Sequence, residues 1–358
     1  MKHLISVIAF LITACVAPMP VSTPTPASTP TPVPTSTPEP ILFNDPNFIF
    51  QGDDPSQPIV TRRPSPKIQN FYINPGGMIF HEGQFHMFFN SFTNWPGTVL
   101  VGYATSEDGL HWQMAQDEPV FSSEQVLFGN GRADVSSVLV TEDNTWVMYF
   151  HTVSNGNPPM EVGRATAASP LGPWSVDPNP VLVPGPEGSW DEQSVFWPNV
   201  VRDGDGYRMY YGARDKLANF AIGMATSEDG ISWKKYNDPE TNDSPYAESD
   251  PVLMPSLEWE TDKVDRPRVQ LTPDGWVMIY QGGDAVEKRG LAISNDGITW
   301  TKYPENPLFT QDVFPIPHAR TWDTSLLYHE GIYYYFMELG SLSGTDLYLA
   351  THQGTLRK

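Results

Sequence analysis

A single cysteine, Cys15, stands in the whole chain. No internal disulfide can form, and no thiolate metal site is available. Basic side chains are half as numerous as acidic ones, 21 Lys and Arg against 42 Asp and Glu, for a net charge of −21. Such a surface repels phosphates, which argues against a nucleic-acid partner and suits an uncharged ligand. Long apolar runs are scarce too. The run near the start, "LISVIAFLITA", is too short to span a bilayer. No segment sustains a 3.6-residue apolar period, so helical architectures are excluded and an all-β chain remains.

That early run follows Lys2 and His3 and ends at Cys15, as the apolar region of a secretory signal does. "LITAC" resembles the lipobox of bacterial lipoproteins, and this implies cleavage before Cys15 and a lipid on its thiol. The next residues ("PVSTPTPASTPTPVPTSTPEP") are almost all Pro, Thr, Ser, Val and Ala. Proline removes donors and favours extended backbone, so this tract reads as a semi-rigid spacer. The expected organisation is a signal peptide over 1–14, a lipidated Cys15 with its linker over 15–40, and a folded domain over 41–358. That domain is expected to be an extracytoplasmic monomer, held to a membrane by the lipid alone.

Within the domain one phrase recurs. "VGYATSEDGLHW" is followed by "VGRATAASPLGPW", "IGMATSEDGISW", "GLAISNDGITW" and a truncated "LYLATHQG". The shared alanines, Ala104, Ala165, Ala225, Ala292 and Ala350, lie 61, 60, 67 and 58 residues apart. A near-constant period marks a repeat architecture. Upstream of each phrase, two short apolar strands flank a Gly/Asp/Asn turn, as in "GGMIFHEGQFHMFFN". Together with the alanine strand and the Trp-bearing strand this gives four strands per unit. Five such units make a five-bladed β-propeller of four-stranded blades. The "SEDGxxW" phrase is then a structural hairpin, its Asp-Gly making the turn and its tryptophan filling the gap between blades. The fifth unit lacks a Trp strand, so part of 41–60 is expected to pair with the last blade.

The innermost strands of a propeller begin around the central axis, where polar groups converge in a concavity. The residues at those starts are Asn74, Asp134, Phe196-Trp197, Asp265 and Trp322-Asp323. Trp197 and Trp322 offer flat faces for a sugar ring, and Asn74 and Asn199 offer hydrogen bonds. Arg214, Arg266, Arg268 and Arg320 are the cations from which an anion pocket would be built.

These features resemble the five-bladed glycoside hydrolases of families 32, 43, 68 and 130. "INPGGMIFHEGQFHMFF" is similar to the invertase-type start, "FWPNVV" stands where those enzymes have R-D-P-K-V, and "DRPRV" where they have E-C-P-D-L. The resemblance implies glycosidic-bond chemistry, but it puts Asn74 and Trp197 in place of two family carboxylates and keeps Asp265 as the acid. Family 130, with a single essential aspartate, supplies a second template, in which "GRADVSSVLV" places Asp134 where that family has an E-D-P-R-like stretch and Gln281 replaces a common histidine. The reading is a glycoside hydrolase acting on an oligo- or polysaccharide, with Asp265 as general acid, Asp134 as base and Asp323 in support. Its alternatives are a glycan-binding lipoprotein without catalysis and a family-130-like phosphorylase. No cofactor or metal is expected; an acidic funnel suits Ca²⁺, yet no EF-hand-like loop is present.

Overall fold

Alternation of β-branched and aromatic side chains with small or polar ones makes each repeat a meander of antiparallel strands. In the computed structural model, residues 40–95, 97–129, 132–154, 159–283 and 288–358 are described. Cys15, the signal segment and the linker up to residue 39 lie outside them. Blade one consists of Tyr72–His81, Gln84–Phe92, Leu100–Ser106 and Gln113–Met114. Blade two is Ala133–Val140, Trp146–Thr152, Val162–Ala167 and Ser175–Val176. Blade three is Ser194–Asp203, Gly206–Arg214, Phe220–Ser227 and Lys234–Lys235, and blade four is Val264–Thr272, Gly275–Gly282, Arg289–Ser294 and Trp300–Lys302. Among the described residues the only helical turns are 3₁₀ segments such as Glu258–Glu260. The chain is a five-bladed β-propeller.

Blade five takes Thr324–His329, Ile332–Ser341 and Gly344–Gln353 from the end of the chain and Ile49–Phe50 from its beginning. Ile49 pairs with Thr351 and Phe50 with Ala350. The seam continues on both sides, where Phe43 bridges Arg357 and Val60 bridges Leu347. Arg62 then closes on Asp346 at 2.6 Å. The expected pairing of 41–60 with the last blade is therefore present. An edge that would otherwise offer unpaired donors and acceptors is covered.

The core is not central. Five apolar clusters each lie between two neighbouring blades. Phe88 and Tyr103 of blade one meet Val135 and Met148 of blade two, and Met87 and Phe89 meet Phe336 and Leu349 of blade five. The repeated hairpins pin these layers. The Oδ1 of Asp108 accepts from the backbone N–H of Leu110 and His111 at 2.9 and 2.8 Å, and Gly109 takes the positive φ the turn requires. Asp229 and Asp296 make the same bonds in blades three and four. Each hairpin tryptophan then meets the preceding blade edge-on: Trp112 against Phe336, Trp174 against Phe88, Trp233 against Tyr149 and Trp300 against Tyr210. The phrase is scaffold, as its sequence implied.

Deleting residues 41–62 removes the outer strand, the Arg62–Asp346 pair and three phenylalanines (Phe43, Phe48, Phe50) packed on the cluster between blades four and five. Partial burial of such rings adds up to on the order of 5 kcal/mol. A chain starting at Arg63 is expected to melt about 10 °C or more below one starting at Ile41. Equal melting midpoints in calorimetry would refute the closing role of this segment.

Candidate active site

The innermost strands of blades one to four each carry a bulge, and the bulge decides which side chain reaches the axis. The register breaks between Pro75 and Met78, between Val135 and Ser137, between Phe196 and Asn199, and between Asp265 and Arg268. In blades one and two the residue two places before the break, Asn74 or Asp134, enters the central funnel. In blades three and four the bulge residue itself does so: Trp197 and Arg266 adopt φ of 48° and 49°, which turns their side chains inward.

Asp265 precedes its bulge by one place fewer than Asp134 does. It nonetheless holds the same register as Asp134: it faces Gln281 as Asp134 faces His151, each three places after the second-strand methionine that pairs with the repeat alanine. It is fully buried among Lys263 at 3.5 Å, Arg266 at 3.3 Å and the backbone of Gly212, and it does not line the funnel. The expected equivalence of the two strand positions therefore holds, but Asp265 is engaged by Lys263 and Arg266, and Arg266, not Asp265, is on the cavity wall.

The funnel holds a cavity of 380 Å³, within the usual size of a small-ligand site. Three carboxyls line it: Asp134, Asp323 and Glu338. Asn90, fully buried on the second strand of blade one, organises the first of them. Its Nδ2 donates to Asn74 Oδ1 at 2.7 Å and to Asp134 Oδ1 at 3.0 Å, while Asn74 Nδ2 donates to Asp134 Oδ2 at 3.4 Å. Burial, followed by the charge of Asp323, nevertheless raises the Asp134 pKa well above its ordinary value.

Asp323 lies opposite Glu338 across the start of blade five. Its N–H donates to Glu338 Oε2 at 3.1 Å, and the Glu338 N–H donates to its carbonyl at 3.0 Å. Arg268, itself buried, holds Asp323 Oδ1 at 2.5 Å and also donates to the Thr324 carbonyl. Fully buried Arg289 donates to the carbonyls of Thr321 and Trp322, fixing the turn that presents Asp323. Glu338 is 2% exposed. Loss of water, then the charge of Asp323, pushes its pKa to about 8.

Aromatic faces complete the walls. Trp197 and Trp322 stand on one part of the rim, and Tyr72, Phe92 and Trp95 on another. Tyr72 stacks on Phe92 with ring centres 5.4 Å apart, and Phe92 meets Trp95 at 5.3 Å. Trp197 is held by Arg266, whose guanidinium carbon lies 3.6 Å from its ring centre, and by the edge of His151. His151 is buried, and its pKa falls to about 3, so it packs as a neutral ring.

Of the residues singled out in the sequence, Asn74, Asp134, Trp197, Trp322 and Asp323 come together in this cavity. Four others do not. Asn199 accepts the Val269 N–H at 2.7 Å and joins blades three and four. Arg268 is the strut under Asp323, Arg214 lines a separate cavity, and Asp265 lies between blades. Arg266 is the cation on the cavity wall, so the four arginines do not assemble an anion pocket there. Glu338 was not foreseen. Its signal is an acid inside the apolar run "IYYYFMEL", where a charge is costly to bury without a purpose.

The raised pKa of Glu338 has a thermodynamic consequence. Between the unfolded value near 4.5 and the folded value of about 8, the native state holds a proton that the unfolded chain has released. Stability contributed by this group is therefore lost as pH rises through that window. The variant Glu338→Gln is expected to gain stability relative to the parent as pH moves from 5 to 8.5. A pH-independent difference in their melting midpoints would contradict the buried, proton-holding state.

Comparison with known proteins agrees with this architecture. Over 117 residues the chain is 26% identical to the β-1,2-mannobiose phosphorylase of Thermoanaerobacter sp. (strain X514), covering 29% of this chain and 34% of that protein. It spans about a third of the length of the curated relatives it matches. One similar solved structure comes from the GH130 family of mannoside phosphorylases, which contains glycoside hydrolases that target β-1,2 mannosidic linkages in Candida mannan. It superposes with a TM-score of 0.63 at 17% identity, over 88% of this chain and 97% of that one. A glycosyl hydrolase of Bacteroides ovatus gives 0.63 at 18% identity, over 87% and 94%. At these identities the likeness is one of fold. The family model for the glycosyl hydrolases family 32 N-terminal domain matches residues 66–261, more than half of the sequence. The chain thus belongs to the glycosyl hydrolase family 32 N-terminal domain family, within the wider group of propeller glycoside hydrolases.

Proposed function

We propose that this protein hydrolyses glycosidic bonds in an oligo- or polysaccharide, using Asp134 and Glu338 as its two working carboxyls. One observation carries the reading: three buried carboxyls converge on a single aromatic-walled cavity at the propeller axis. Aromatic faces bind sugar rings, and paired carboxyls break the bond between them.

The environments separate the roles. Glu338, with its pKa near 8, carries a proton at neutral pH and donates it to the leaving glycosidic oxygen as the C1–O bond breaks. Asp134 accepts a proton from the attacking water, whose oxygen bonds to C1; its raised pKa makes it a stronger base. Asp323, ion-paired with Arg268, faces the positive charge that develops at C1. The two working carboxyls come from blades two and five, with blade one between them, so they approach the sugar from different sides. Carboxyls on non-adjacent blades suit inversion, which calls for a separation of roughly 6.5–9.5 Å with a water between.

Phosphorolysis is the second reading, favoured by the similarity to a mannobiose phosphorylase. Against it, the cavity wall carries Arg266 as its cation among the described residues, and that guanidinium is already stacked on Trp197 and bonded to Gln281 at 2.9 Å. A phosphate co-substrate calls for more positive charge than this.

Asp134→Asn and Glu338→Gln are each expected to lower kcat on oligosaccharides by roughly 10²–10⁴-fold. Aryl glycosides with good leaving groups should be spared by Glu338→Gln but not by Asp134→Asn. Product anomers followed by NMR should show inversion without added phosphate. Unimpaired turnover in both variants, binding with no turnover in the parent, or an absolute need for phosphate would each overturn the proposal.

A further inference from the structure

Trp197 walls two cavities. Besides the funnel, it lines an open pocket of 320 Å³ with Phe196, Arg214, Phe220 and Lys263. Several buried cations elsewhere in the chain are paired with a carboxylate. Arg268 is consumed by Asp323, Arg164 by Asp177 and Arg208 by Asp203. Arg214 has no carboxylate partner among the described residues, and its Nε is buried with no hydrogen-bond acceptor. Leaving such a donor unmade in the folded state is costly, on the order of 1–3 kcal/mol. Lys263 is four-fifths buried by side chain, with Asp265 Oδ2 at 3.5 Å as its counter-charge.

Both cations rest on one ring. The Lys263 ammonium lies 4.4 Å and the Arg214 guanidinium carbon 5.7 Å from the centre of Phe220. The ring fixes their positions without neutralising them. The described residues lining the pocket thus include two cations and no acid, in a protein whose formal charge is −21. A planar guanidinium fork beside an ammonium matches the oxygens of a carboxylate or sulfate.

We propose that this pocket is a subsite for an oxyanion carried by the glycan, a sugar carboxylate or a sulfate ester, with Trp197 as the partition between it and the funnel. The inference rests on the glycan-cleaving reading for its ligand, though it concerns binding and not bond cleavage. It makes an acidic glycan, not a neutral one, the preferred substrate class. Because the rest of the surface is acidic, attraction acts only at short range, within the screening length of about 8 Å at physiological salt.

Calorimetric titration of the full folded domain carrying Asp134→Asn tests this independently of turnover. The probes are uronic-acid oligosaccharides, their methyl esters, sulfated oligosaccharides and their desulfated forms. At least one charged form is expected to bind tenfold or more tightly than its neutral counterpart. Adding Arg214→Gln should erase that ratio. Lys263→Met should reduce it as well, but it also strips Asp265 of a partner, so Arg214→Gln is the decisive variant and its circular dichroism must match the parent. Charged and neutral forms binding alike would overturn the subsite, as would a ratio unaffected by Arg214→Gln. So would phosphate being consumed to give a glycosyl phosphate in a reaction lost with Arg214→Gln, which would make the pocket a co-substrate site. Preferential binding of the charged glycan by a parent protein that cleaves nothing would remove the hydrolase reading and leave the subsite standing.

Discussion

Closure of the ring is the constraint on which the site depends. Five twisted sheets around an axis leave one seam, and here the seam is in blade five, whose outer strand comes from Ile49–Phe50. Blade five supplies Asp323 and Glu338, and blade two supplies Asp134. Blade one holds them in relation. It reaches blade five where the Ile73 N–H donates to Thr345 Oγ1 at 3.0 Å and where Trp112 meets Phe336. It reaches blade two through Asn90, which bonds Asp134 directly. A loosened seam would therefore part the carboxyls before it unfolded the blades.

The periodic features were legible because they repeat. Five copies of an alanine strand and of a Gly/Asp hairpin fix the blade count, and each tryptophan's role follows from its place after the turn. The missing strand of the last unit and the unassigned segment at 41–60 predicted each other. The active-site residues are harder to read because a bulge has no sequence signature of its own. Asp134 and Asp265 share a register against the second strand, but in blade four the break follows Asp265 directly and the bulge residue Arg266 takes the place on the cavity wall. Glu338 escaped notice for a related reason. It sits on a second strand, which an argument confined to innermost strands does not reach.

Three arginines around the site are placed by their partners. Arg268 and Arg289 are fully buried and fix Asp323, one through its carboxylate and one through the backbone before it. Arg266 stiffens Trp197. Two of these cations, Arg268 and Arg289, support Asp323 without lining the cavity. This explains how three carboxyls can line one cavity: Asp323 is ion-paired, Asp134 is held by Asn74 and Asn90, and burial keeps the proton on Glu338.

The central claim is that bond cleavage takes place between Asp134 and Glu338 and that Asp265 stays buried between blades. A crystal structure of the Glu338→Gln variant with a bound, uncleaved oligosaccharide tests it most directly. The account predicts a glycosidic oxygen within about 3 Å of residue 338, with Asp134 on the water side of the anomeric carbon. A sugar bound outside the funnel, or an anomeric carbon facing Asp265, would contradict it.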